Sequence, residues 1–241
     1  MKTLLWGALP YIAVVLLVAG TVWRFRYDKF GWTTRSSQVY ESKLLNVASP
    51  MFHYGILFVL VGHLMGLFVP ESWTDGIGLD EHTYHLLSLY GGTAAGALAV
   101  LGILMLLVRR RTNAPVFRAT TANDKVMYVF LLAAIVLGMW AKLANSTVSA
   151  GYDYRQTIAP WVRSLFTLQP DIDRMAGVPV LYQIHALVGL ALIALVPFTR
   201  LIHMFSAPVQ YLFRPYVVYR SRAEGQLGPR PDRRGWEESK L

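Results

Sequence analysis

Apolar residues in this chain gather into five long runs, separated by stretches rich in glycine, proline and charge. The runs occupy residues 4–23, 51–69, 86–108, 126–143 and 178–196, the last continuing as far as His203. Each approaches the about 20 mostly apolar residues that a helix needs to cross a hydrocarbon core of about 30 Å. Ionisable interruptions are few: His53 and His63 in the second run, Lys142 at the end of the fourth, and His185 in the fifth with Arg200 and His203 in its continuation. In lipid every backbone donor and acceptor must be satisfied within the segment, and five runs are too few and too apolar for a barrel. The pattern predicts an all-α integral membrane protein with five transmembrane helices. A cleaved signal peptide is the alternative for the first run. Its length, and the cluster Arg24, Arg26 and Lys29 that follows rather than precedes it, favour a retained helix.

The connections set an orientation. Arg24, Arg26, Lys29, Arg35 and Lys43 lie between the first two runs, and Arg109, Arg110, Arg111 and Arg118 between the third and fourth. The second connection instead carries Glu71, Asp75, Asp80 and Glu81 without Lys or Arg. Because basic loops stay in the cytoplasm, the N-terminus is expected outside and the C-terminus inside. The connection at 145–177 is long for a loop. Within it Trp161, Val162, Leu165, Phe166 and Leu168 recur at roughly helical spacing between Pro160 and Pro170. They suggest either a short interfacial helix along the outer surface or a packed loop. Two parts are expected: a membrane domain over 1–216 and a cytoplasmic tail over 217–241. From residue 224 the tail is glycine, proline and charge without periodicity, so alone it is disordered or awaits a partner.

Composition sharpens this picture. Apolar residues make up 54% of the 241 and charged ones 15%, against about 45–50% and 25% in soluble domains. The net charge of +9 could suggest a nucleic-acid partner, but its clustering between apolar runs suits a lipid bilayer and no nucleic acid. There is no cysteine, which excludes disulfides, iron–sulfur clusters, thiolate zinc and thiol catalysis from this chain.

Four of the six histidines, His53, His63, His185 and His203, lie within or at the ends of the second and fifth runs. Ionisable groups there are functional candidates by default, although a single one can be a neutral imidazole bonded to a neighbouring helix. His53 and His63 are ten residues apart, about 15 Å of helical rise; His185 and His203 are eighteen apart, about 27 Å. The two helices run antiparallel, so His63 can face His185 at an outer depth and His53 can face His203 at an inner one. The about 12 Å mismatch requires tilted helices.

Ligand type decides what such pairs hold. Zinc catalysis asks for three protein ligands, and the two runs contain no Asp or Glu. A b-type haem needs two axial ligands, an apolar slot and a cation near its propionates, and there is no CxxCH for covalent attachment. Gly62 and Gly66 beside His63, and Gly189 one turn after His185, leave room for a flat macrocycle or serve ordinary small-residue packing. Arg200, one turn before His203, is the candidate cation for inner propionates or else a snorkelling interface residue. Two haems at different depths imply electron transfer across the bilayer, with a lipid-soluble donor such as quinol outside. His63, Gly62, His82 and His85 are its possible contacts, the last two more readily read as solvated. Arg109, Arg110 and Arg111 are read as topology-setting charges. The inner loops and the tail, with Tyr211, Tyr216 and Tyr219, offer a docking surface for an electron acceptor.

Particular stretches carry a resemblance. They are Arg26-Tyr27-Asp28, Ser36-Ser37-Gln38, Asn46 with Ala48-Ser49, Phe52 to Leu57, Val61-Gly62-His63 with Gly66, Gly91-Gly92, and Arg118 to Thr121. The most specific is Pro197-Phe198 with Arg200-Leu201-Ile202-His203, Ser206, Pro208-Val209 and Tyr211-Leu212. Together they resemble the cytochrome b (gamma) subunit of respiratory membrane-bound nitrate reductase, from about residue 20 to 216. The resemblance implies that His63 and His185 ligate an outer haem b, and His53 and His203 an inner one. It also implies quinol oxidation beside the outer haem, and delivery to an iron–sulfur (beta) and a molybdenum (alpha) subunit that reduces nitrate. A lysine that some members carry before the paired glycines has no counterpart between Glu71 and Tyr90. Three rivals stay in view. They are a dihaem anchor of another quinone-linked reductase, a histidine-lined transporter and a purely structural anchor. A transporter would call for carboxylates within the spans and for broken helices or repeats.

Overall fold

A computed structural model describes residues 1–33, 36–147 and 152–206. Eight α-helices account for most of them: α1 Leu9–Tyr27, α2 Lys43–Phe68, α3 Glu71–Gly76, α4 Glu81–Thr112, α5 Ala114–Arg118, α6 Ala122–Thr147, α7 Ile158–Leu165 and α8 Val180–Leu195. Five segments are long and apolar enough to cross a membrane: Thr3–Tyr27, Lys43–Phe68, Glu81–Thr112, Ala122–Ala144 and Val180–Phe198. They coincide with the five apolar runs. Large side chains such as Phe58, Val129 and Trp140 stand more than 60% exposed on these helices, as lipid-facing residues do. The expected domain boundary at residue 216, and the tail with Tyr211, Tyr216 and Tyr219, lie outside the described residues.

The helices run up and down, with one end rich in tryptophan and the other in arginine. α2 packs on α4, α4 on α6, α6 on α8 and α8 on α1. The α2–α4 contact is the most extensive, because glycines remove side chains from it. A Cβ on Gly55 would lie 2.5 Å from the Ala99 nitrogen, and one on Gly102 2.5 Å from the Phe52 nitrogen. Backbone thus meets backbone along this seam.

At the Trp-rich end, a π-helical turn at Thr3–Ala8 leads into α1. Pro10 has no N–H to offer the Trp6 carbonyl four residues back, and that carbonyl accepts the Trp161 Nε1–H at 2.9 Å. The two indoles pack edge to face at 5.6 Å, and Ile158, Met175 and Val178 complete a small core around them. α7 is the helix suggested by the spacing around Trp161. It begins two residues before Pro160, which sits in its first turn, and it buries Ile158, Ala159 and Trp161 instead of merely lying on the surface. Arg163 of α7 donates to the Leu67 carbonyl at the end of α2. A helix terminus is thereby satisfied where water is scarce.

At the Arg-rich end the charges do more than set topology. Arg109 is 2% exposed and clamps the α1–α2 connection through Glu41 Oε2, Ser37 Oγ and the carbonyls of Ser37 and Glu41. Arg110 donates to the Tyr128 hydroxyl at 2.8 Å and to Thr120 Oγ1 at 3.0 Å.

The continuous fifth helix expected as far as His203 does not form. α8 ends at Leu195, Val196–Phe198 form a 3-10 turn, Thr199 is extended, and Arg200–Ser206 form a second 3-10 helix. Pro197 is the physical cause, since it lacks an N–H and its ring crowds the preceding turn. A break near lipid must have its freed carbonyls satisfied. Arg24 of α1 donates to the Pro197 carbonyl at 2.6 Å, and Asn123 of α6 donates to that of Phe198. Gly20 admits the proline ring, for a Cβ there would sit 2.7 Å from Pro197 Cγ.

Candidate functional site

α2 and α8 are not an extensively packed pair, yet the two histidines of α2 each meet a partner, one on α8 and one in the 3-10 segment beyond it. The rings of His63 and His185 have centroids 6.0 Å apart and planes at 41°; those of His53 and His203 lie 6.1 Å apart at 68°. The first pair stands toward the Trp-rich end and the second toward the Arg-rich end. The break after α8 accounts for the second. A chain that leaves the helix at Leu195 is not bound to the 27 Å rise of a straight one, so helix tilt alone need not absorb the mismatch.

Each pair suits a ligand held from two sides. Imidazoles that ligate one ion from opposite sides, each through a nitrogen about 2.0–2.1 Å away, have ring centres about 6 Å apart. Hydrogen bonding sets three of the rings for this. His53 Nδ1 donates to the Ser49 carbonyl at 2.7 Å, His63 Nδ1 to that of Val59 at 2.8 Å and His203 Nδ1 to that of Arg200 at 2.5 Å. A carbonyl can only accept, so Nδ1 is the donor and Nε2 is the nitrogen left for a ligand, the arrangement found in ligating histidines. The partner lies four residues back on α2 and three back in the 3-10 helix, as the two geometries require. His185 Nδ1 is buried and makes no well-formed hydrogen bond among the described residues, and its ring lies against Gly138 of α6, where a Cβ would come within 2.9 Å of Cε1. Among the described residues no three histidine, aspartate or glutamate side chains gather around one point. The donor sets are therefore pairs, and an apolar slot with two imidazoles fits a bis-histidine haem better than zinc.

The neighbouring residues divide. Gly62 and Gly189 border open space, whereas Gly66 is packed against Tyr154, whose hydroxyl would lie 2.6 Å from a Cβ there. Gly66 thus serves the packing of the Trp-rich end and leaves no room for a macrocycle. Arg200 turns to a carboxylate: its Nε and Nη2 donate to the two oxygens of Asp124 at 2.8 and 2.6 Å, and Asp124 is 2% exposed. This fork ties the segment bearing His203 to the start of α6. His82 and His85 are exposed, and only His85 lines a cleft, with Ser88, Lys142 and Arg155.

Sequence reasoning missed Arg24, Asn123, Asp124, Gly138 and Arg155. Pro197 was the one visible signal for the first three, since a proline inside an apolar run marks a break that polar neighbours must serve. Arg155 bonds Glu81 Oε2 at 2.5 Å and Thr74 Oγ1 at 3.1 Å and lies 4.0 Å over the Tyr84 ring. It lies in a connection read only for its apolar periodicity.

Comparison with known proteins places this architecture. Residues 2–222 match the nitrate reductase gamma subunit family. The chain is 38% identical over 220 residues to the nitrate reductase gamma chain of Bacillus subtilis, covering 91% of this chain and 98% of that one. It is 32% identical over 214 residues to the respiratory nitrate reductase 1 gamma chain of Escherichia coli, covering 88% and 94%. It is also 56% identical over 237 residues to the nitrate reductase-like protein NarX of Mycobacterium tuberculosis. That match takes in 98% of this chain but spans only 36% of the relative's length. With five membrane-length helices and a match along nearly its whole length, the chain belongs to the nitrate reductase gamma subunit family.

Proposed function

We propose that the chain is a dihaem cytochrome b subunit that anchors a quinol:nitrate oxidoreductase in the cytoplasmic membrane. It oxidises quinol at the outer face and delivers electrons to an iron–sulfur (beta) and a molybdenum (alpha) subunit on the cytoplasmic side. His63 and His185 hold the outer haem b, and His53 and His203 the inner one. The observation that carries this reading is the double pairing: two sets of imidazoles about 6 Å apart at two levels of one bundle, three of them turned by a backbone carbonyl.

A haem b held by each pair supplies a one-electron carrier. The remaining work falls to the chain. The Nδ1 bonds fix ring orientation, Gly62 and Gly189 keep bulk away from the slot, and Gly138 seats the His185 ring. The Asp124–Arg200 fork holds the segment that presents His203. Arg200 accordingly acts on the inner site as a positioning residue through Asp124 as well as the cation nearest its propionates. The charge bias of the loops puts the Trp-rich end outside and the Arg-rich end, with the tail, on the cytoplasmic side as the docking face.

The test is a dithionite-reduced minus oxidised spectrum of the purified membrane protein, with pyridine haemochrome quantitation. Two b haems per chain are expected. A folded preparation without haem would overturn the reading.

A further inference from the structure

α2 presents its two histidines on one backbone plan. His53 Nδ1 donates to the carbonyl of Ser49 at 2.7 Å and His63 Nδ1 to that of Val59 at 2.8 Å, in each case four positions back along the helix. The backbone thus treats the two rings alike, and the side chain at that fourth position is what separates them. Val59 brings only methyl groups. Ser49 brings a hydroxyl, and its Oγ lies 3.2 Å from His53 Nδ1. The ring N–H of His53 is shared between two oxygens of one residue, whereas that of His63 has, among the described residues, the carbonyl alone.

The orientation of the His53 ring does not depend on the hydroxyl. The carbonyl bond is the shorter of the two, and Phe52 meets the ring edge to face with centroids 5.4 Å apart. What the hydroxyl adds is electronic. Each oxygen that accepts from Nδ1–H draws the proton outward, leaves more negative charge on the imidazole and makes Nε2 a stronger donor to a bound ion. A stronger donor favours the ferric over the ferrous state of a haem iron, and so lowers the potential of that haem.

We propose that the Ser49 hydroxyl tunes the inner haem through the His53 ring, lowering its potential, and that Val59 withholds the same influence from the outer one. The proposal rests on the dihaem reading above and adds a positioning residue that acts only through a ligand. Its consequence is directional. An inner haem that holds its electron less firmly gives up part of the drop across the bilayer and gains drive toward the acceptor on the Arg-rich side.

The experiment is a potentiometric titration of the membrane-embedded complex, followed by visible spectra, in the variants Ser49→Val, Ser49→Thr and Val59→Ser. Valine and threonine are both β-branched, so the first two variants differ chiefly by the hydroxyl. His203→Ala, which removes one side of the inner pair, identifies the inner transition. Ser49→Val is expected to keep both haems and to move the inner transition alone to higher potential. At a fixed potential its reduced-to-oxidised ratio rises about two- to fivefold, a share of one neutral hydrogen bond. Ser49→Thr restores most of the wild-type position, and Val59→Ser moves the outer transition downward by a similar factor. An unmoved inner transition in Ser49→Val, or the same shift in Ser49→Thr, would overturn the proposal and leave the dihaem reading standing. If Ser49→Val loses the inner haem, Val59→Ser decides: a lowered outer transition supports the proposal and an unmoved one overturns it. A folded wild-type preparation without haem would overturn the dihaem reading and this proposal together.

Discussion

The two histidine pairs are near twins in separation and opposites in construction. His63 and His185 both sit inside regular helices, and their meeting needs little beyond helix packing and a glycine at 138. His53 faces a histidine presented by a 3-10 segment beyond a break. Three polar side chains from two other helices, Arg24, Asn123 and Asp124, hold that break. The same donor geometry can therefore be inherited from regular backbone or assembled by tethers. The assembled version depends on residues far from the ligand in sequence.

The largest expected effect removes a ligand. His63→Ala or His185→Ala loses one of the two haems and all quinol-dependent reduction; His53→Ala or His203→Ala also loses one haem but leaves the outer one reducible by quinol. Haem quantitation with quinol and dithionite reduction checks this, and two retained haems in any of the four variants would dismiss that ligand.

Next comes the tether. Asp124→Ala removes the carboxylate from a guanidinium that is itself almost buried, a change that costs about 3–5 kcal/mol when one partner of a buried pair is removed. It is expected to weaken the His53–His203 site while sparing the other, so the haem lost on mild heating should be the inner one. Equal loss from both sites would erase the distinction between them.

A smaller effect belongs to the regular pair. Gly138→Ala places a methyl 2.9 Å from the His185 ring, a crowding that costs about 1–3 kcal/mol in packed interiors. The haem should remain, with the outer redox transition displaced and the inner one unchanged in a potentiometric titration. Two unmoved transitions would show that the ring can yield without consequence.

Least of all should matter Arg174→Ala. Its ion pair with Asp171 is nearly half exposed on both sides, and such pairs contribute under about 1 kcal/mol. Thermal unfolding followed by circular dichroism should hardly shift, and a large drop would mean that Arg174, which also donates to the Gln156 carbonyl, braces this end more than its exposure suggests.

Much of this was legible in the sequence, because hydrophobic runs and helical rise are local properties. The five spans and the facing of His63 with His185 follow from periodicity and charge bias alone, whereas the spacing around Trp161 left a short helix and a packed loop both open. The break after Leu195 was also written there, in Pro197, but an apolar run read for length conceals a proline that lipid does not forbid. The tethers were not legible. Arg24 and Asn123 are ordinary interface residues until the chain brings them to carbonyls freed more than seventy positions away. Gly66 illustrates the converse error. Its place beside His63 suggested space for a cofactor, whereas its neighbour in the fold is Tyr154, from a connection read only for its apolar residues.

The glycine seam between α2 and α4 bears on how the protein is made. Both helices belong to one early hairpin, joined by a short connection, so their contact is local and quick to form. One imidazole of each pair is thereby in place while the ribosome is still translating. The opposing imidazoles arrive only with the final hydrophobic segment and the residues just beyond it. On the proposed reading, capture of haem at the outer and inner sites requires that synthesis has run past residues 185 and 203 respectively, so the order of synthesis sets the earliest moment at which each site can fill.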